Sequence, residues 1–247
     1  MTTPHSSAFS ADQYDEAYPR GYETHFWHRA RRDIVLAQVA QHCTPRATTL
    51  EIGCGPGYYV QVLRDAGFDA YGCELATPNV HPSVSERVFT GRDFADLPAD
   101  FRNEVKCVLV LDVLEHIENA GAFLAGVKAA FPRLEVVIAT VPACPELWSN
   151  YDTHYGHYRR YLLPELSALF SAQGFAVARN SYFFHALYLV TRFLASSGKD
   201  RNTAFPQPRW SLPHWALGLL FRIESLVLPK SWRGTSLICT ATVNAPR

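Results

Sequence analysis

The chain has 247 residues, enough for one large domain or a domain with an appendage. Its 23 basic residues balance 23 acidic ones, which argues against a nucleic-acid surface, since such surfaces carry a basic excess. The aromatic content, 15 Phe, 12 Tyr and 5 Trp, can build a core and also line a pocket for a flat or greasy ligand.

The six cysteines (Cys43, Cys54, Cys73, Cys107, Cys144, Cys239) form no C-x-x-C pair, and several sit in apolar strand-like runs. That pattern argues against a zinc site and against a disulfide framework, so no metal ligand is assigned. A polar segment without an apolar h-region follows Met1, so no secretory signal is expected. The expected compartment is a reducing cytoplasm, with at most peripheral contact at the inner membrane face. No apolar run is long enough for a spanning helix.

Residues 1–20 are polar, and their Phe9, Tyr14 and Tyr18 are placed to fold over a site. Residues 23–42 read as a helix, with an apolar stripe through Phe26, Ala30, Ile34, Val35 and Val39. Thr48–Ile52 is the first strand, and it runs into Gly53-Cys54-Gly55-Pro56-Gly57 and a helix to Ala66, stopped by Gly67. Phe68–Glu74 is the second strand and ends in an acid, where folds of this kind hold ribose hydroxyls. Arg87–Thr90 is a short third strand. The continuous apolar run Val105–Leu111 predicts a strand buried on both faces. Strands over Val136–Val141, Phe175–Asn180 and Ser236–Val243 alternate with helices over Ala120–Phe131 and Leu163–Gln173.

This alternation predicts an α/β fold with a Rossmann-like, mostly parallel seven-stranded sheet and helices on both faces. Residues 1–45 form an N-terminal helical cap, 46–180 a cofactor-binding core, 181–235 a helical insertion and 236–247 the final strand. The insertion holds two apolar patches, Tyr182–Ala195 and Trp210–Leu228, read as helices over the ligand edge of the sheet.

The glycine loop excludes two ligands. A phosphate-cradling P-loop needs Gly-Lys-Ser/Thr, but Gly57 precedes Tyr58-Tyr59. A dinucleotide loop needs a sixth-position glycine, and neither Tyr58 nor Val60 supplies one. What remains is Glu51-x-Gly53-x-Gly55-x-Gly57, which closely resembles motif I of the class I S-adenosylmethionine-dependent methyltransferases. The resemblance implies S-adenosylmethionine as cofactor. Its cationic amino group suits Glu51, its carboxylate suits backbone N–H groups at Gly53, Cys54, Gly55 and Gly57, and its ribose suits Glu74 with Leu75 beside it. Asp93, in Gly91-Arg92-Asp93-Phe94, matches the family's acid at the adenine amino group, with Phe94 by the base. Asp112-Val113-Leu114-Glu115-His116 matches the segment that walls the methionine end, which brings Asp112, Val113 and His116 into the cofactor site. The chain is similar to a bacterial subgroup in this segment, in the His25-Phe26-Trp27 helix with Ala30-Arg31-Arg32, in Val141-Pro142-Ala143, in Leu147-Trp148-Ser149-Asn150-Tyr151-Asp152 and in Gly156-His157-Tyr158-Arg159-Arg160-Tyr161. The family's Lys-Pro-Gly-Gly turn is replaced here by Phe131-Pro132-Arg133-Leu134.

The acceptor is expected at the polar segment after the fifth strand, with Tyr14, Tyr18, Trp148, Tyr151, His157, Arg159, Arg160 and Tyr161 as substrate-binding residues. His154, His157 and His116 are the candidates for accepting a proton from an acceptor hydroxyl, because histidine titrates near neutral pH. His154 and His157 would share a face if their segment is helical. Arg159 and Arg160 suit a carboxylate or phosphate; in the competing reading, Asp152 pairs with an arginine and the tyrosines pack. The expected function is methyl transfer to a small or lipid-like acceptor, most simply at oxygen, by a monomer or homodimer. A nucleic-acid methyltransferase and a non-catalytic cofactor-binding scaffold are the alternatives. The former class carries Asn/Asp-Pro-Pro-aromatic where this chain reads Asp112-Val113-Leu114-Glu115.

Overall fold

The computed structural model describes residues 11–196, 200, 202–206 and 210–243. The N-terminal segment holds helices α1 (Ala11–Ala17) and α2 (Phe26–His42). The core then alternates β1 (Thr48–Ile52), α3 (Tyr58–Asp65), β2 (Ala70–Glu74), β3 (Val88–Thr90), α4 (Ala99–Arg102), β4 (Val105–Leu111), α5 (Ala120–Ala130) and β5 (Val136–Pro142). It continues through α6 (Asn150–His154), α7 (Leu163–Ala172), β6 (Phe175–Phe183), α8 (His185–Ser196), α9 (Ser211–Val227) and β7 (Ser236–Val243).

The strands lie in the order β3-β2-β1-β4-β5-β7-β6. All neighbours are parallel except those of β7, which runs antiparallel between β5 and β6. In β4, side chains alternate between faces, as strand geometry requires. Val108 and Val110 pack with Leu124, Leu166 and Phe170 of α5 and α7. Cys107, Leu109 and Leu111 pack with Val35 of α2, Val60 and Leu63 of α3 and Phe221 of α9. Because both faces are covered by helices, β4 reads as a continuous apolar run.

Two expectations change. First, β6 runs on to Phe183, so the sheet takes Ser181–Phe183 from the expected insertion. Pairing with β7 extends as far as Phe183↔Ser236, and the ladder bonds outweigh the helical reading of Tyr182 and Phe183. The chain then turns at Phe184, at φ 62°, into α8. Second, Cys43 at the end of α2 and Cys107 in β4 are joined as a disulfide, although no disulfide was expected. A separation of 64 residues hides such a pair from any local spacing rule. Of the N-terminal residues placed over a site, Phe9 lies outside the described residues, while Tyr14 is on α1 and Tyr18 follows it.

Helix α2 starts on a histidine cap. The His25 Nδ1 accepts the Trp27 backbone N–H at 3.3 Å. The His214 Nδ1 of α9 accepts the Phe26 N–H at 3.2 Å. Burial, with His214 adjacent, pushes the His25 pKa down to about 4. Burial, with Arg31 and His25 beside it, lowers that of His28. Folding therefore keeps both rings neutral, and the unfolded chain binds more protons below the reference value of about 6.5. Their contribution is complete above about pH 6.5 and is lost as the pH falls toward 4. The urea midpoint should be flat from pH 7 to 8 and drop steadily below 6.5. His25→Asn, which keeps a capping side chain, should flatten part of that drop. An unchanged acid slope in this variant would remove His25 from the account.

Candidate functional site

A cavity of about 830 Å³ opens at the carboxyl ends of β1, β2 and β4. It lies where the strand order reverses between β1 and β4, the usual ligand crevice of an open parallel sheet. The glycine loop forms its floor. Gly53 and Gly55 take φ of 73° and 52°, a region that favours glycine. A Cβ on Gly53 would fall 2.7 Å from the Val113 Cγ2. Gly57, also left-handed at φ 89°, caps α3 and faces Val84 and Val88 away from the cavity.

The acids around this floor differ in how they are held. Glu51 is 3% exposed, and its Oε2 has no hydrogen-bond partner among the described residues. Burial pushes its pKa well above the usual range, Arg31 opposing and Glu74 adding to the shift. The two Glu74 oxygens accept the Gly55 and Ala76 backbone N–H groups at 3.0 and 3.1 Å. The Tyr14 hydroxyl also donates to this carboxylate. The Asp93 Oδ1 accepts the Ala95 N–H at 2.8 Å, beside Phe94 and across from Phe123. Leu75 and Cys54 complete this end of the cavity.

Arg31 belongs to the Ala30-Arg31-Arg32 stretch of the subgroup resemblance, which assigns it no role; it is also a cation beside the apolar stripe of α2. It is 4% exposed and donates to the Asp112 Oδ2 at 2.9 Å, the Thr140 Oγ1 at 2.7 Å and the Tyr59 hydroxyl at 2.9 Å. Thr140 in turn donates to the Asp112 Oδ1 at 2.9 Å. Asp112 needs this support because it sits at φ 55°, uncommon for a residue with a side chain.

The expected acceptor residues separate. His157 and Tyr151 line the cavity, and so does His116. The His157 Nδ1 lies 2.9 Å from the Asp152 Oδ1. Burial alone raises the Asp152 carboxyl, but hydrogen bonds from His157 and Arg160 outweigh it and hold the pKa at about 2. An ionised carboxylate only accepts, so the His157 Nδ1 is the donor, and in the neutral ring the lone pair lies on Nε2. His116 meets His157 edge to face with ring centres 4.7 Å apart. Burial, followed by His157, pushes the His116 pKa down to about 4.

Several expectations need correction. His154 ends α6 and pairs with Glu16 at 2.8 Å, outside the cavity lining. Gly156, at φ 69°, turns the chain after it, so His154 and His157 share no helical face. Arg160 lines the cavity as expected, but it donates to both Asp152 oxygens, at 2.8 and 3.0 Å, and to the Ala143 carbonyl, so its fork is turned to Asp152. Arg159 donates to the Glu118 carbonyl at 2.6 Å and lines a separate cleft. The Tyr161 hydroxyl donates to the Leu114 carbonyl, and its ring is buried in the core. Trp148 lies outside the cavity lining. Tyr14 and Tyr18 face the cofactor half. Tyr14 donates to Glu74, and the Tyr18 phenol packs over Gly55.

A family model described as a methyltransferase domain matches residues 24–180, which contain Arg31, the glycine loop, Glu74, Asp93, Asp112 and His157. The chain belongs to the S-adenosylmethionine-dependent methyltransferases. A protein of Mycolicibacterium smegmatis, described as a probable S-adenosylmethionine-dependent methyltransferase, is 26% identical over 176 residues. That match covers 68% of this chain and spans 66% of the relative's length. Two solved methyltransferases share the fold at low identity. Magnesium protoporphyrin IX methyltransferase from Synechocystis PCC 6803 with bound SAH has a TM-score of 0.53 at 17% identity, covering 88% of this chain and 83% of that one. The 1,6-didemethyltoxoflavin-N1-methyltransferase of Burkholderia thailandensis has a TM-score of 0.52 at 18% identity, covering 88% and 79%.

The residues present in this methyltransferase fit S-adenosylmethionine. The buried Glu51 oxygen without a partner calls for a cation, and the glycine floor has no room for a Cβ.

Removing one member of a buried ion pair costs about 3–5 kcal/mol. Asp112 keeps 35% side-chain exposure, so solvent softens the loss here. Arg31→Leu should therefore lower unfolding stability by about 2–3 kcal/mol in urea titrations. A double-mutant cycle with Asp112→Asn should return coupling of about 1 kcal/mol or more. Strict additivity would show that the pair does not hold the site.

Proposed function

We propose that this methyltransferase methylates a hydroxyl oxygen of a small, lipid-like acceptor. The observation that carries this reading is the position of α8. Its Leu187, Val190 and Leu194 line the cavity, while Leu189 and Phe193 stand 70% and 74% exposed. Apolar surface therefore continues from the outside of the protein into the site. On α9 and beside it, Trp210, Leu212, Trp215, Leu226 and Trp232 extend the exposed apolar face. Exposed patches of this kind mark contact with apolar partners, and no described helix is long and apolar enough to cross a membrane.

Bound in the cavity, S-adenosylmethionine supplies a methyl group on an already activated sulfonium. Glu51 balances the positive amino group, and the Gly53 and Gly55 backbone, whose N–H groups already donate to the Cys73 carbonyl and to Glu74, gives the cofactor a close approach rather than free donors. Glu74, flanked by Leu75, holds the ribose, while Asp93 and Phe94 hold the adenine. Asp112, Val113 and His116 wall the methionine end. Tyr14 and Tyr18 cover the loop and exclude water. Tyr151 and His157 meet the acceptor, and the lone pair on the His157 Nε2 assists loss of the hydroxyl proton. Asp152 keeps that lone pair available by holding the proton on Nδ1.

Calorimetry with S-adenosylmethionine tests the cofactor half. Glu51→Gln removes a buried carboxylate that lacks a partner. It should weaken binding tenfold or more while leaving the melting temperature unchanged or higher. Glu74→Ala should weaken binding similarly. Labelled cofactor with lipid and polar extracts tests the acceptor half: label should enter an organic-extractable product, and His157→Gln should cut that turnover without changing cofactor affinity. Cofactor binding without any turnover would favour a scaffold, and label in nucleic acid would overturn the acceptor class.

A further inference from the structure

The histidines at the acceptor end belong to a larger cluster. Glu115 and His116 sit on the short turn Leu114–His116 that follows β4. His157 follows α6, and the Tyr158 N–H donates to the Glu115 carbonyl at 2.7 Å, fastening the two loops together. One carboxylate oxygen of Glu115 and one ring nitrogen from each histidine all lie within 4.8 Å of one another. All three residues line the cavity.

Two features distinguish this cluster from an ordinary polar contact. The first is Glu115. It is 1% exposed, and its Oε2 has no hydrogen-bond partner among the described residues. A buried carboxylate left in that state is costly unless a positive group reaches it. The nearby charges, Asp112 against Arg31 and Arg160, are already committed to Arg31–Asp112 and Arg160–Asp152 pairs. The second is the way both rings are held from behind. Asp152, 0% exposed and fixed by Arg160, takes the Nδ1 proton of His157. His116 meets the Tyr155 backbone carbonyl. A ring whose N–H is held by a carboxylate or carbonyl turns its other nitrogen, as a lone pair, toward the cluster. Outer partners of this kind orient metal-ligating histidines.

We propose that Glu115, His116 and His157 form a binding site for one divalent first-row transition-metal ion, with coordination positions left open to the cavity for an acceptor hydroxyl. Two imidazoles and one carboxylate suit zinc, manganese, iron(II) or cobalt(II). Magnesium and calcium prefer all-oxygen shells. Ligand bonds of about 2.0–2.2 Å require the three side chains to close by small rotations about an ion at their centre. The site rests on the acceptor reading above and specifies how the histidines assist there. The His157 Nε2 lone pair goes to the ion, and the coordinated hydroxyl, made more acidic, releases its proton to solvent water.

The test uses the full chain, stripped with chelator and titrated with Co²⁺ and Zn²⁺ by calorimetry and visible absorption. The wild type should bind one ion per chain, with a cobalt spectrum typical of nitrogen and oxygen ligands. Glu115→Gln and His157→Ala should each weaken binding at least tenfold, while S-adenosylhomocysteine affinity stays within about twofold. That retained affinity shows that a variant is folded. A wild-type chain that binds S-adenosylhomocysteine but takes up neither ion overturns the metal site and leaves His157 as a direct base. Ion binding undiminished in both folded variants also overturns it. Loss of S-adenosylhomocysteine binding by the wild type would count against the proposed function instead.

Discussion

The contact between Arg31 and Asp112 holds the site together. Arg31 comes from the N-terminal helix, Asp112 from the end of the central strand, and Thr140 from the next strand over. The bond is placed where the sheet reverses its strand order, so it sets the wall between the two halves of the cavity. Asp112 accepts from two donors and holds an uncommon backbone angle, and the turn carrying Glu115 and His116 begins beside it. Without the cation the aspartate would lose its partner and the turn its anchor. The N-terminal helix is thus part of the site's frame as well as a cover.

The two ends of the cavity are built on opposite electrostatic plans. At the cofactor end, Glu51, Glu74 and Asp93 gather negative charge around backbone N–H donors. Glu51 is left short of a partner, while Glu74 is pinned by two amides. Such a surface favours a ligand with a positive group at one point and hydroxyls at another. At the other end, Arg160 is consumed in holding Asp152, and Asp152 orients His157. A residue that looked suited to an anionic acceptor borders the cavity, but its donors are engaged by Asp152 and the Ala143 carbonyl. This shifts the acceptor reading away from an anion and toward an apolar molecule with one polar group, in keeping with the apolar face of α8.

The cofactor half was legible because its chemistry is local. Glycines at 53 and 55 are demanded by their left-handed backbone angles, a consequence of the strand-to-helix turn itself. Glu74 and Asp93 follow from strand ends. The acceptor half was legible only as a region. His154 and His157 look equivalent in sequence, yet one turn of chain at Gly156 sends the first to Glu16 and the second to Asp152. Arg159 and Arg160 are adjacent, yet Arg159 turns to the Glu118 carbonyl and Arg160 to Asp152.

The sequence by itself determined the sheet, its covered faces and the family. Apolar periodicity, glycine angles and strand-end acids are properties of contiguous residues. Only the tertiary structure decided which polar side chains face the cavity. It brought Arg31 to Asp112, His157 beside Glu115 and His116, and Cys43 to Cys107, across separations that no local pattern encodes. The physical reason is that a buried charge is placed by the partners that compensate it, and those partners are chosen by packing rather than by order along the chain.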